Sequence, residues 1–192
     1  MSALPEARTA APRSVGELRS RFRQGKIALL EHFREARATT TAASRLIKAL
    51  TRHVDSTVQD LWNHAMMPPG AALIAVGGYG RGELFPHSDV DVLVLLPPGE
   101  EHANDALKSS VEGFITACWD IGLEIGSSVR TVDECIEESH RDVTVQTALL
   151  ESRYLCGSRR VFNDFRRANT ALCKNLWKSE QQTDLPGDKV QH

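Results

Sequence analysis

The sequence predicts an α+β fold in which a small mixed β-sheet is packed with helices, and helical segments precede and follow the sheet. Three observations carry this prediction. Apolar residues recur at three- or four-residue steps through two long stretches, from Val15 to His64 and from Glu101 to Ile121. Short apolar runs bounded by glycine or proline lie between and after these stretches, as is typical of buried strands. A further helical pattern follows the last of these runs.

The N-terminal third of the chain is predicted to be helical. Residues 1–14 are expected to be a disordered tail, and residues 15–67 to form N-terminal helices. One helix is predicted over Leu18–Arg37 and a second as far as His64, with an N-cap in the cluster Thr39–Thr41. The sequence MMPPG ends this section, because tandem prolines cannot continue a helix.

The predicted core, residues 68–157, alternates strands with helices. Strands are predicted over Ala71–Val76, Asp89–Leu96 and Leu123–Arg130. Thr131 and Glu134 form a capping-box pattern that opens a short helix. Asp142 is the expected cap of a further helix, which is predicted to run to Tyr154 and to stop at Gly157.

The C-terminal part of the chain is predicted to hold one helix over residues 158–178 and a flexible polar tail over residues 179–192. Three tryptophans occupy helical positions with apolar neighbours, and we expect them to be core anchors. They are Trp62, Trp119 and Trp177.

The composition is that of an ordinary globular domain, with 41% hydrophobic and 25% charged residues. A formal net charge of −2 gives no general attraction to nucleic acid or to an anionic membrane. No apolar run approaches the roughly 20 residues that cross a bilayer. The four cysteines form no CxxC pair, so we interpret them as small apolar residues in a reducing compartment. We expect a soluble cytoplasmic domain with no nucleic-acid or membrane partner; its oligomeric state is left open.

The candidate site begins with two aspartates in the stretch VGGYGRGELFPHSDVDVLVLL. Asp89 and Asp91 stand two residues apart at the start of a predicted strand, so their side chains are expected to project to the same face. Two such carboxylates repel each other unless a cation lies between them. Magnesium prefers hard oxygen ligands and is commonly held by one or two carboxylates plus substrate phosphates. The pair is therefore the predicted magnesium site.

A glycine-rich segment upstream supplies the expected phosphate-binding backbone. Gly77 and Gly78 carry no side chain, so their N–H groups are open to a ligand. If YGRGEL begins a helical turn, its free N–H groups and dipole also favour a phosphate. Each feature has an ordinary alternative: an aspartate as a cap, two glycines as a tight turn, and Arg81 as an ion-pair partner of Glu83. Their combination between two apolar strands favours a phosphate and metal site.

Other phosphate-binding motifs are missing from the sequence. It contains no GxxxxGK[ST] loop, and GGYGRG lacks the strand, turn and long helix that frame a dinucleotide fingerprint. GYGRG occurs once and within apolar sequence, unlike the repetitive arginine-glycine tracts that bind RNA.

The stretch GGYGRGELFPHSDVDVL resembles the nucleotidyltransferase fold of the DNA polymerase beta superfamily. Within it, the stretch is similar to the N-terminal domain of the bacterial PII uridylyltransferases, the bifunctional uridylyltransferase/uridylyl-removing enzymes. The resemblance continues through CWDIGLEIGSSVRTVDECIEES and DVTVQTALLESRYLCGSRRVF, and covers roughly Val15–Arg167. Glu151 and Arg153 lie in this last stretch, and the sequence assigns them no chemical step.

The resemblance implies transfer of UMP from UTP to a tyrosine hydroxyl of the nitrogen-signalling protein PII, with release of pyrophosphate. The nucleotide-binding residues on this hypothesis are Gly77, Gly78, Arg81 and Ser88. Asp89 and Asp91 would be the catalytic residues and the ligands of Mg²⁺. His87 lies close by, and we interpret it as a loop residue rather than a general base.

The chain departs from the family pattern at two positions and in length. Glu124 is the only obvious third carboxylate, and we do not assign it as a ligand. Ser127 stands where the family sequence GHSVR has histidine. Family members continue with an HD-type phosphohydrolase domain and paired ACT domains, for which 192 residues leave no room. We therefore expect a truncated form, whether fragment, shortened gene product or split protein.

Three functions stay open at this point. The first is an active uridylyltransferase domain, which the family resemblance favours. The second is a catalytically silent remnant that binds a nucleotide or a partner. The third is a nucleotidyltransferase with a different acceptor. The sequence leaves the preferred base undetermined as well.

Overall fold

A computed structural model describes residues 14–99 and 105–183, with the backbone alone for residues 175–183. The elements in chain order are α1 Val15–Glu35, α2 Thr40–His64, β1 Ala72–Ala75, α3 Gly77–Gly80, β2 Val90–Leu96, α4 Asp105–Asp120, β3 Ile125–Thr131, α5 Val132–Arg141, α6 Val143–Leu150, β4 Arg153–Gly157 and α7 Arg159–Thr183. The predicted α+β class, with a small mixed sheet packed with helices, is confirmed.

The sheet has four strands in the order β3-β2-β1-β4. Strand β1 runs antiparallel to both of its neighbours, whereas β2 and β3 are parallel. In this register Ala75 is opposite Val92 on one side and Arg153 on the other, and Asp91 is opposite Gly126. The end of β1 and the starts of the other three strands therefore meet at one end of the sheet.

The two faces of the sheet bury separate hydrophobic cores, because successive strand residues point to opposite faces. Residues Leu73, Ala75, Val92 and Val94 pack with α1, α2 and α4. Residues Ala72, Ile74, Leu93 and Leu95 pack with α5, α6 and α7. Asp91 alternates with Val90 and Val92, so it projects to the same face as Leu93, at an end of the strand where it stays exposed.

Side-chain caps fix the starts of three helices, as the sequence predicts. The Thr39 hydroxyl accepts a hydrogen bond from the Ala42 N–H (3.1 Å) at the start of α2. Thr131 and Glu134 form the capping box that opens α5. The Asp142 carboxylate accepts from the Thr144 N–H (2.7 Å) at the start of α6. Each cap satisfies a backbone donor that the helix itself leaves unpaired.

The predicted helix from Asp142 to Tyr154 is wrong in its last four residues, after Leu150. Helix α6 ends at Leu150, and the chain then forms strand β4, which ends at Gly157. The reason is tertiary pairing, since β4 hydrogen-bonds to the edge of β1 that β2 leaves open. Local apolar spacing does not reveal such a partner, and pairing of backbone groups outweighs helix propensity here.

Other boundaries shift by a few residues. Helix α1 begins at Val15 and not at Leu18, and α7 continues to Thr183, so residues 179–183 are helical and not the start of a flexible tail. The predicted tails before residue 14 and after residue 183, and the predicted helix start at Glu101, lie outside the described residues.

The three tryptophans have different outcomes. Trp62 is 5% exposed and packs edge-on against Phe114, with ring centroids 5.8 Å apart, so it is a core anchor. Trp119 is 63% exposed, and its prediction as an anchor is wrong. Five residues along a helix correspond to a rotation of about 140° from Phe114, which takes Trp119 off the buried stripe. The Trp177 side chain lies outside the described residues.

Three of the four cysteines, Cys118, Cys135 and Cys156, contact the hydrophobic cores as expected. Cys118 and Cys135 are buried, and all four cysteines are free thiols. Burial raises the pKa of the Cys118 thiol to about 12, so it stays protonated at neutral pH. Among the described helices, none is both long enough and apolar enough to pass through a membrane.

Replacing Phe114 with alanine should lower the free energy of unfolding by about 3–5 kcal/mol, because it leaves a cavity beside Trp62 in the core. The exposed Trp119 supplies a matched control on the same helix, and Trp119→Ala should cost less than about 1 kcal/mol. Urea unfolding of both variants checks the prediction, and equal costs would contradict this assignment of the buried face.

Candidate active site

A short glycine turn, helix α3 over Gly77–Gly80, follows β1 directly. It starts two residues earlier than the predicted turn at Tyr79. Gly77 has a φ of +57°, a left-handed conformation that glycine adopts without steric cost. The N–H groups of Gly77, Gly78 and Tyr79 donate to no other described residue, whereas the Gly80 N–H donates to the Val76 carbonyl (3.0 Å). Three backbone donors are therefore available to a ligand.

The two aspartates lie at the start of β2, next to this turn. Asp91 is the second residue of the strand, and Asp89 immediately precedes it. The Val76 N–H donates to the Asp91 carbonyl (3.1 Å), and this bond brings the end of β1 beside the aspartate. Both side chains are exposed, and neither carboxylate forms a hydrogen bond or ion pair with another described residue. Sequence reasoning thus predicted a proximity that the strand register produces.

The Asp91 carboxylate lies between two glycines, Gly77 at the start of α3 and Gly126 in β3. Its Oδ2 atom is 3.8 Å from the position that a Cβ on Gly77 would take. Its Oδ1 atom is only 2.4 Å from the corresponding position on Gly126, in β3. A side chain on Gly126 would therefore displace the carboxylate. We call this space, bounded by Gly77 and Gly126, the carboxylate slot.

The electrostatics of the pair suit a cation. Partial burial, and after it the negative charge of Asp89, raise the pKa of Asp91. Both effects penalise the charged form of Asp91, and no described basic side chain offsets them. Two unpaired carboxylates in this state match the donor set that a divalent cation such as Mg²⁺ prefers. Asp89 and Asp91 are the residues that could hold it.

Among the described residues, no third acidic ligand joins the pair. Over residues 14–99 and 105–183, no three side chains of His, Cys, Asp or Glu converge in a way that could hold a metal ion. Glu124 is exposed at the start of β3, where its carbonyl accepts a hydrogen bond from the Val90 N–H (2.9 Å). The part of the chain that the structure describes offers two carboxylates here, and a bound ion would complete its shell with water or phosphate oxygens.

Arg81 lies beside the glycine turn but is already paired. Its Nε donates to Glu83 (2.8 Å), and its Nη1 donates to Glu151 (2.5 Å). These hydrogen bonds, first with Glu83 and then with Glu151, raise the pKa of Arg81. Its Nη2 atom is 3.6 Å from the position of a Cβ on Gly78. The ion pair with Glu83 that the sequence leaves open as an alternative is therefore present in this structure.

Ser88 and His87 lie in the loop between the glycine turn and β2. Both are exposed, and the Ser88 N–H donates to the Phe85 carbonyl (3.1 Å). Together with Glu124 they line a cleft of about 60 Å³ on the side of α1 and α2. This volume is too small for a nucleotide. The role of Ser88 in nucleotide binding stays a prediction.

Ser127, the position where the family pattern has histidine, is opposite Val92 in the register. Strand alternation places it on the opposite face from Gly126, and so from the carboxylate slot. Ser127 is exposed. Its departure from the pattern leaves the slot itself unchanged.

Sequence reasoning did not identify a cluster of three residues, Asp55, Tyr79 and Arg153, that supports the glycine turn. The Tyr79 hydroxyl donates to Asp55 (2.6 Å), and Arg153 donates to both Asp55 oxygens (2.8 and 3.1 Å). Burial, and then the charge of Asp55, raise the pKa of Tyr79 far above its usual value, so the hydroxyl stays a neutral donor. These residues come from α2, α3 and β4, and no local sequence pattern predicts such a long-range contact.

The role of Gly126 could have been predicted from the sequence, since a glycine inside a strand often marks close approach of another group.

Comparison with known proteins connects this geometry to a family. A family model described as "Nucleotidyltransferase domain" matches residues 56–153, just over half of the chain. The chain belongs to the nucleotidyltransferase domain family. The matched segment contains the glycine turn and both aspartates, and extends to Arg153.

The relatives are larger proteins. The chain is 50% identical over 159 residues to a "Bifunctional uridylyltransferase/uridylyl-removing enzyme" of Burkholderia thailandensis, a match that covers 83% of this chain and 18% of the relative. It is 52% identical over 147 residues to a protein of the same name from Burkholderia vietnamiensis, covering 77% and 16%. The chain therefore spans less than a fifth of the curated relatives it matches. The resemblance stated from the sequence is confirmed.

Among solved structures, a toxin–antitoxin crystallised with AMP-PNP is similar over 67% of this chain and 94% of its own. The TM-score is 0.41 and the sequence identity is 16%. A likeness at this level carries no information on function.

Substituting Gly126 with alanine should displace the Asp91 carboxylate, because the new Cβ would lie 2.4 Å from Oδ1. We expect the free energy of unfolding to change by less than about 1 kcal/mol, since a flexible side chain can move aside. The affinity for Mg²⁺, measured by calorimetry, should fall about 10-fold or more. Gly113→Ala is the matched control, because a Cβ there meets no atom within 4 Å. Unchanged Mg²⁺ affinity in Gly126→Ala would contradict the proposed slot.

Replacing Asp91 with asparagine should raise the melting temperature by about 1–2 °C in buffer without divalent cations, because it removes one of two like charges. Added Mg²⁺ should stabilise the unmodified protein and have little effect on this variant. Calorimetric scans with and without Mg²⁺ decide the matter. A lower melting temperature of Asp91→Asn in cation-free buffer would count against repulsion between the aspartates.

Proposed function

We propose that this domain transfers UMP from UTP to a tyrosine hydroxyl of the PII signalling protein and releases pyrophosphate. One observation carries the proposal: two unpaired carboxylates adjoin a turn with three unused backbone N–H groups. A nucleoside triphosphate bound with a divalent cation presents the complementary charges. The uridylyl specificity of the proposal comes from the names of the relatives, which are about 50% identical over 77–83% of the chain.

The glycine turn would bind and orient the triphosphate. The N–H groups of Gly77, Gly78 and Tyr79 are free to donate to phosphate oxygens, and Gly77 and Gly78 place no Cβ in the way. Arg81 would add positive charge beside Gly78 if it donated to a phosphate oxygen in place of Glu83 or Glu151. Fixed donors of this kind stabilise charge on the transferring group without reorganisation during the reaction.

Asp89 and Asp91 would hold Mg²⁺ at the mouth of the carboxylate slot. When bound, the ion supplies positive charge to the phosphate oxygens of an in-line displacement at the α-phosphate. The two side chains set where that charge lies relative to the glycine turn. Gly126 keeps the Asp91 carboxylate in place by leaving room for it.

The proposal concerns transfer alone. The relatives' name also includes removal of the uridylyl group, and this chain matches only 16–18% of their length. A cytoplasmic location, where UTP and PII are available, is part of the same proposal.

The test is transfer of label from UTP labelled at the α-phosphate to PII, with Mg²⁺ present. Label should appear on a PII tyrosine with the unmodified chain. It should fall by at least about 100-fold in Asp89→Ala, because a metal ligand is lost. Asp105→Ala is the matched control, since this exposed aspartate lies at the start of α4, outside the site, and should leave the rate unchanged.

The other outcomes decide between the remaining functions. Calorimetry that shows UTP binding without transfer would indicate a catalytically silent binding domain. Transfer to another acceptor from a cell extract, and none to PII, would indicate a different substrate. Absence of both binding and transfer would refute the proposal. Competition by unlabelled ATP and CTP measures the preference for the base.

A further inference from the structure

The segment from Glu151 to Arg153, between α6 and β4, packs against the end of the glycine turn that faces away from the free N–H groups. A Cβ on Gly80 would lie 1.7 Å from the Glu151 carbonyl oxygen, so the two backbones are in direct contact. The Glu151 side chain also binds Arg81, just past the turn. The segment therefore touches the turn through both backbone and side chain.

Arg153 contacts the turn through two hydrogen bonds and its guanidinium face. Its Nη2 donates to the Tyr79 carbonyl (3.1 Å), and its Nε donates to the Gly80 carbonyl (3.2 Å). The guanidinium carbon lies 5.2 Å from the centroid of the Tyr79 ring. The last carbonyls of a helix have no partner within it, and a four-residue helix has no length to compensate. Arg153 donates to two of these carbonyls from outside the turn, and the Tyr79 carbonyl accepts in addition from the Gly82 N–H (3.0 Å).

Asp55 fixes the orientation of Arg153. Its two carboxylate oxygens receive the Nη1 and Nη2 donors at 2.8 and 3.1 Å, a bidentate pair. The same carboxylate accepts from the buried Tyr79 hydroxyl (2.6 Å). Helix α2, the glycine turn and strand β4 are thus joined at one carboxylate. A bidentate guanidinium pair specifies geometry as well as charge.

We infer that Arg153 is a positioning residue for nucleotide binding, which holds the glycine turn so that its three free N–H groups converge on the phosphates. This inference rests on the proposed function. Arg153 acts through the turn, because four of its five N–H donors are engaged by the carbonyls of Tyr79 and Gly80 and by the two oxygens of Asp55. Lysine cannot replace it, since one ammonium group cannot reproduce a planar fork with contacts to two carbonyls and two carboxylate oxygens.

The expected effect lies in KM. The turn contacts the triphosphate in the ground state and in the transition state, so weakening it removes binding common to both. Arg153→Lys should raise KM for UTP about 10-fold and change kcat by less than about 3-fold. A residue that only stabilises the fold would lower the fraction of active protein, and so the apparent kcat, while leaving KM unchanged.

The matched control is Arg21→Lys. Arg21 also joins two elements through a carboxylate and a second acceptor, since it donates to Asp60 (2.5 Å) and Ser56 (2.7 Å), and it lies between α1 and α2, away from the turn. Its exposure, 40%, is close to the 32% of Arg153. KM for UTP should stay unchanged in this variant. An equal rise of KM in both arginine variants would overturn the inference.

Tyr79→Phe distinguishes the effect of losing the Arg153 hydrogen bonds from the effect of disturbing the cluster in general. It removes the hydroxyl bond to Asp55 and leaves the four Arg153 hydrogen bonds in place. KM should rise by less than about 3-fold. A rise equal to that of Arg153→Lys would show that any disturbance of the cluster is sufficient, and would refute a specific role for Arg153.

Hydrogen exchange tests the inference without nucleotide. The N–H groups of Gly80, Arg81, Gly82 and Glu83 donate to carbonyls of the turn and of Val76, which precedes it. Arg153→Lys should speed their exchange about 10-fold, while the amides of α5 stay unchanged. Unaltered exchange at the turn would overturn the inference even if UTP is bound. If the unmodified chain binds no UTP, the proposed function fails, and the exchange rates still decide whether Arg153 holds the turn.

Discussion

The register between β1 and β2 is the constraint on which the site depends. The hydrogen bond from the Val76 N–H to the Asp91 carbonyl continues the pairing of Ala75 with Val92, and it sets the glycine turn beside the aspartates. A slip of one residue would send Asp91 into the apolar core of α1, α2 and α4, and Val92 into the slot. The buried residues on both faces oppose such a slip, so the hydrophobic cores position two polar groups that they do not touch.

Most of the fold could be predicted from the sequence, because most of its helices and strands are determined by residues that are close together in the chain. Thr39, Thr131 and Asp142 cap helices with side chains that lie next to the residues they serve, and such patterns are legible without the structure. Strand β4 was not legible, because its partner β1 is far away in the chain. Trp119 shows a second limit: apolar spacing predicts a helix better than it predicts which side of the helix is buried.

The same division holds for the site. The aspartates and glycines are neighbours in the sequence, and their chemistry follows from their residue types. The supports of the turn are not neighbours: Asp55 precedes it on α2, and Arg153 follows it on β4. Asp55 and Arg153 both hydrogen-bond to the turn, and neither belongs to the glycine motif itself. The sequence motif thus predicts which groups would bind the ligand, whereas the contacts that fix their positions come from distant parts of the chain.

The central claim is that the aspartate pair and the glycine turn bind one ligand together. Its most direct test is a crystal of the domain grown with UTP and Mn²⁺, in which anomalous scattering locates the metal. We expect a manganese peak within bonding distance of Asp89 and Asp91, with phosphate oxygens accepting from the N–H groups of Gly77 and Gly78. A manganese peak elsewhere, or phosphates seated away from the turn, would contradict the account.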